Sequence, residues 1–156
     1  MDIRSDTPVR VRDVRASLET VKSRHDEFVA HLKKNGKPNP PQFPCDVVVD
    51  QHGNLKVQGL NHTATASVRY VLDEMQVACA EYVFWVPNDT VPEDAIEVTR
   101  FYVTKTGAVK SGIEASAVSL TDIKSDGAAF VIVERVLRGI IESRLFQPRP
   151  RPVAAA

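Results

Sequence analysis

The 156 residues are 43% apolar and 26% charged, a balance that supports one buried core and excludes a mostly disordered chain. Twenty Lys/Arg offset twenty Asp/Glu, so the molecule as a whole has no long-range attraction for nucleic acid or an anionic membrane. The cancellation hides a segregation: residues 1–44 carry +3, residues 45–99 carry −7 and residues 100–156 carry +4. Such blocks are either solvated faces that offset one another within the fold or surfaces for complementary docking between subunits.

The expected organisation is a single domain over 1–156, beginning with a helix at 13–34. Val14, Leu18, Val21, His25, Phe28 and Leu32 are spaced 4, 3, 4, 3, 4, which sets one side chain after another along a single helical seam. Lys33 and Lys34 suit the last turn, and Asn35-Gly36 suits a left-handed cap. Upstream, Pro8 to Arg12 alternates like a short strand, while Thr7-Pro8 also fits a helix start, and the sequence does not separate these readings. The seam covers the helix's own core or mates with a second helix. Val14, Leu18, Val21, Phe28 and Leu32 are therefore the candidate interaction surface.

Residues 37–44 hold four prolines in eight positions and read as an extended, stiff connector. Beyond it the chain reads as two hairpin-plus-helix (ββα) units, 45–87 and 92–148. Superposing Gly53 on Gly107 brings Val47 onto Phe101, Val49 onto Val103 and Leu55 onto Val109, so the inward faces match at the two-residue strand period. Each glycine closes a short hairpin connection in the left-handed region. The first unit is expected to continue as a helix from about Ala64, with Val68, Val71, Leu72, Met75, Cys79 and Tyr82 on one face. In the second unit a strand from about Ile96 to Thr104 precedes a helix from about Asp126. That helix carries Phe130, Val133, Leu137, Ile140, Ile141 and Leu145 on one face, with Ser125 or Asp126 as its cap. Residues 149–156 read as a flexible tail. The fold class expected is α+β: an N-terminal helix, then a mostly antiparallel sheet covered by helices.

Little in the sequence carries reaction chemistry. His25, His31, His52 and His62 form no metal-binding pair, and the set Cys45, His52, His62 and Cys79 matches no zinc spacing. Asp46 and Asp50 share a strand face but stand about 13 Å apart, too far for paired-carboxylate catalysis. Nucleophile-elbow and phosphate-loop patterns are missing, so no catalytic, metal-binding or cofactor-binding residues are assigned and no cofactor is expected. Two lone cysteines suggest buried thiols in a reducing, cytoplasmic compartment. The N-terminal stretch lacks a signal-peptide core, and no apolar run approaches the roughly 18 residues of a membrane span.

One basic patch stands out, made of Arg135 and Arg138 on the last helix with Arg149 and Arg151 in the tail. The stretch from Val98 through the turn glycine Gly107 to Ser116, then a helix, then Leu145-Phe146-Gln147-Pro148, resembles the TonB C-terminal domain family. That resemblance covers about a third of the chain and implies a ββα-type module that binds by strand addition or self-pairing. The sequence thus leads to a non-enzymatic protein-interaction or assembly module, whose partner is another protein or a second copy of itself. Two alternatives stand beside it. One is RNA or DNA binding through the basic patch; the other is a small-ligand protein or enzyme using His52, Tyr102 or Asp50.

Overall fold

A computed structural model describes residues 3–35, 45–88 and 94–148. The connector at 37–44, the turn residues 92 and 93, and the tail with Arg149 and Arg151 lie outside them. The first helix, α1 (Ile3–Asn35), begins ahead of residue 13 and of Thr7-Pro8, and the short strand expected at Pro8 to Arg12 does not form, since those residues are helical. At ~1.5 Å per residue it is about 50 Å long. Val21, Phe28 and Leu32 are fully buried or nearly so, and Leu18 packs beside them.

Among the described residues seven strands follow as an antiparallel meander in sequence order: β1 (Cys45–Val49), β2 (Leu55–Gly59), β3 (His62–Leu72), β4 (Ala78–Val86), β5 (Ile96–Val103), β6 (Ala108–Lys110) and β7 (Ser119–Asp122). The second helix, α2 (Ala128–Glu142), follows, then a short 3-10 turn at Arg144–Phe146. Ala78, Ala80, Tyr82, Phe84 and Val86 of the long strand β4 point inward. They meet α1 and α2 in a core centred on aromatic contacts. Tyr82 stacks on Phe101 at 5.0 Å between centroids, and Phe28 meets both edge-on.

The class is α+β with the sheet dominant, but the expected first ββα unit does not form. Residues 64–82 are the hairpin β3–β4 rather than a helix. Ala64, Ala66, Val68, Tyr70 and Leu72 line one face of β3, while Thr65, Ser67 and Arg69 line the other. This two-residue period, on small and β-branched residues, prevails over the helical spacing of the larger apolar ones. The second unit has a third strand, β7, and ends in a helix that starts at Ala128 rather than Asp126; its N-cap is Gly127 with no side-chain cap, not Ser125 or Asp126, although Ser125 Oγ accepts the Gly127 amide.

The two glycine hairpins match as aligned. Val49 pairs with Leu55 and Val103 with Val109, with Gly53 at φ 79° and Gly107 at φ 88°. The β3–β4 turn is a third copy of the same device. Asp50, Asp73 and Thr104 each lead a five-residue turn in which their own N–H donates to the fifth residue's carbonyl and their C=O accepts the fourth residue's N–H. Asp50 and Asp73 also accept two turn amides through Oδ1. In the middle copy Gln76, at φ 62°, fills the place of glycine.

Candidate interaction surface and the outer-face network

α1 is fastened to the sheet along its C-terminal two thirds. Ser17 Oγ accepts the Ala78 amide at 3.3 Å and donates to Val14 O. Arg24 Nε donates to Lys105 O at 2.9 Å, and His31 Nε2 meets Ser125 O at 3.0 Å. His25 Nδ1 lies 2.5 Å from Tyr82 Oη. Burial lowers the pKa of His25 against an opposing pull from Asp26, and burial raises that of Tyr82. Both shifts favour the neutral ring and the neutral phenol, and with the ring proton on Nε2 the imidazole accepts from the phenol.

Of the candidate seam, Val21, Phe28 and Leu32 are spent on the chain's own core and are not available to a partner. Val14 and Leu18 are half-buried, and Val11, next on the same seam, is 62% exposed. Here the helix and the end of the β3–β4 hairpin bound a groove of about 400 Å³, walled by Val14, Leu18 and Lys22 on one side and Tyr70, Leu72 and Ala78 on the other. Lys22 Nζ sits 5.7 Å from the Tyr70 ring centre, giving the apolar groove a cationic rim.

The outer face of the sheet holds a charged cluster of which the sequence had singled out only Tyr102. Glu81 on β4 is 4% exposed, with Arg69 Nε at 2.6 Å, Tyr102 Oη donating at 3.1 Å and Arg100 Nη1 at 3.4 Å. Burial works to raise its pKa; hydrogen bonds from Arg69 and Tyr102 and the Arg100 guanidinium outweigh this and hold it below the ordinary carboxylate value. Beside it Cys79 faces a cavity of about 250 Å³ that Met75, Tyr102, Lys110 and Ile113 also line. Burial, with Asp73 and Glu81 adding to it, pushes that thiol up to about 11. At neutral pH the cluster is therefore a fixed carboxylate beside a neutral thiol.

Arg69 and Glu81 are directly paired across β3–β4, each six residues from Met75 at the turn centre. Opposite charges equidistant from an Asp-led turn are the signal that would have found them. Of the basic patch, Arg135 and Arg138 lie among the described residues, and Arg149 and Arg151 lie outside them. Arg135 Nη2 donates to Arg100 O at 3.3 Å, and Arg138 pairs with Glu134. His52 and Asp50 lie in the β1–β2 turn, whereas Tyr102 joins the Glu81 cluster.

Among the described residues no three His, Cys, Asp or Glu side chains converge as metal ligands, and no helix is long and apolar enough to cross a membrane. Comparison with protein-family models, curated proteins and solved structures returns no match.

Proposed function

We propose that this chain is a non-enzymatic protein-interaction module that receives an amphipathic helix in the groove between α1 and the β3–β4 hairpin. One observation carries the reading. The seam that Val21, Phe28 and Leu32 bury continues without a break through Leu18 and Val14 to Val11, where the chain's own sheet no longer covers it. A three-four seam of this kind fits another helix, whose apolar side chains sit as knobs between those of α1. Lys22 at the rim favours a partner with carboxylates beside its apolar face.

The basic-patch reading draws less support, because Arg135 and Arg138 are each engaged within the fold. A photo-crosslinking side chain at position 11, compared with one at the exposed Lys124, tests the groove. Adducts to one protein from position 11 and none from position 124 support it. Equal labelling from both positions, or none from either, counts against it.

A further inference from the structure

A meander leaves main-chain hydrogen-bonding groups unpaired along its edges, and this sheet treats its edges differently. β5 pairs with β6 only at Tyr102 and Val103, so the carbonyls of Val98 and Arg100 face out on the uncovered flank. α2 closes that flank: Arg135 donates to Arg100 O, and Gly139 brings the helix backbone against Val98 O. β7 is four residues long, largely polar, and its pairing with β6 is interrupted by a register shift at Val109/Lys110. Shortness, polarity and bulges all blunt an edge.

β1 is nearly as short and carries one charge, Asp46, but it has no register break. Its five residues pair with β2 in unbroken register and include three consecutive valines. The Asp50 amide bonds to Asn54 O across the turn, so Asp50 and Val48 turn their main-chain groups toward β2. Val47 and Val49 then turn theirs away from the sheet, and among the described residues nothing bonds to those amides. Both side chains pack into the core, so the edge is held in strand geometry before anything binds to it. Apart from Asp46 within the strand, the nearest acidic residue is Asp50, which is taken up by the His52 and Asn54 amides and by Lys56 at 3.6 Å.

We infer that β1 is a self-association edge, to which β1 of a second copy adds antiparallel about a two-fold axis at Val47. Only an extended strand satisfies alternating donors and acceptors at this spacing. The second copy is singled out because the edge is complementary to itself. Val47 meets its own counterpart, position 49 meets position 45 and position 46 meets position 48, so Asp46 stands directly opposite a valine rather than a second carboxylate. This proposal uses a different element from the groove and stands or falls apart from it. A five-residue strand pair is small, which puts the association at the weak end of specific interfaces.

Sedimentation and residue-resolved amide exchange of the full chain, run from about 10 μM to about 1 mM, test it. The expected result is a dimer at the upper end in which the Val47 and Val49 amides exchange about tenfold more slowly than on dilution. Val49→Pro is expected to stay folded and monomeric, since the amide it removes makes no bond among the described residues. Val11→Asp, which alters only the exposed end of the α1 seam beyond the groove, is expected to dimerise like the parent. A monomer at every concentration overturns the proposal, as does a dimer with freely exchanging Val47 and Val49. Should Val49→Pro fail to fold, the exchange data on the parent chain decide.

Discussion

Gly139 of α2 lies so close to Val98 of β5 that a β-carbon at 139 would stand 1.9 Å from the Val98 carbonyl oxygen. Both sides of this contact are backbone, so no side-chain rotation relieves it. Gly139→Ala is expected to cost about 3 kcal/mol or more, read from urea unfolding, because α2 must lift from the flank it closes. An unchanged midpoint would show that α2 is not seated on β5.

The matched turns give an internal comparison. Both Gly53 and Gly107 are left-handed, but a β-carbon at 53 meets nothing within 4 Å, whereas one at 107 comes within 3.2 Å of Ile123. Gly53→Ala is expected to cost about 1–2 kcal/mol, the backbone term alone. Gly107→Ala should cost measurably more, and equal losses would contradict the packing of Ile123 beneath that turn.

His25 makes stability depend on pH. Its folded pKa lies below the ordinary 6.5, so the unfolded chain binds the proton more readily. The stabilisation is complete above 6.5 and is lost as pH falls through and below it. Denaturation at about pH 7.5 and about pH 5.5 should show this loss, and His25→Gln, which keeps an acceptor for Tyr82, should flatten it. Glu81 acts in a separate window: its lowered pKa gives stability that is present above the ordinary carboxylate value of 4.5 and lost below it.

Within the outer-face cluster the two ends of one ion pair should differ. The Arg69 side chain is 69% exposed and that of Glu81 only 5%. Arg69→Ala should cost about 1.5 kcal/mol, since it takes the closest donor from a carboxylate that stays buried but keeps Tyr102 and Arg100. Glu81→Ala should cost about 3 kcal/mol, since it strands the Tyr102 hydroxyl and leaves Arg100 without its buried partner. Thermal unfolding of both variants distinguishes these magnitudes.

Much of the fold was legible where residue chemistry acts locally. Gly53 and Gly107 announced their hairpins because glycine takes the left-handed region freely, and the seam from Val14 to Leu32 announced α1 by its spacing. The β3–β4 hairpin was hidden because Gln76 stands where its sister turns have glycine, and because Val71, Met75 and Cys79 mimic a helical stripe. With that turn unread, Tyr70, Leu72 and Ala78 were not placed as the groove's second wall, nor Arg69 beside Glu81. Those juxtapositions depend on strand register, which no local pattern states.

The groove is tested most directly by the parent chain and Val11→Asp, each immobilised and exposed to extract of the native host, with their unfolding temperatures measured in parallel. An exposed helical site should tolerate this change within about 0.5 kcal/mol. The expected result is a protein retained by the parent and lost by the variant at nearly equal unfolding temperatures. The same protein retained equally by both chains would contradict the groove as the binding surface.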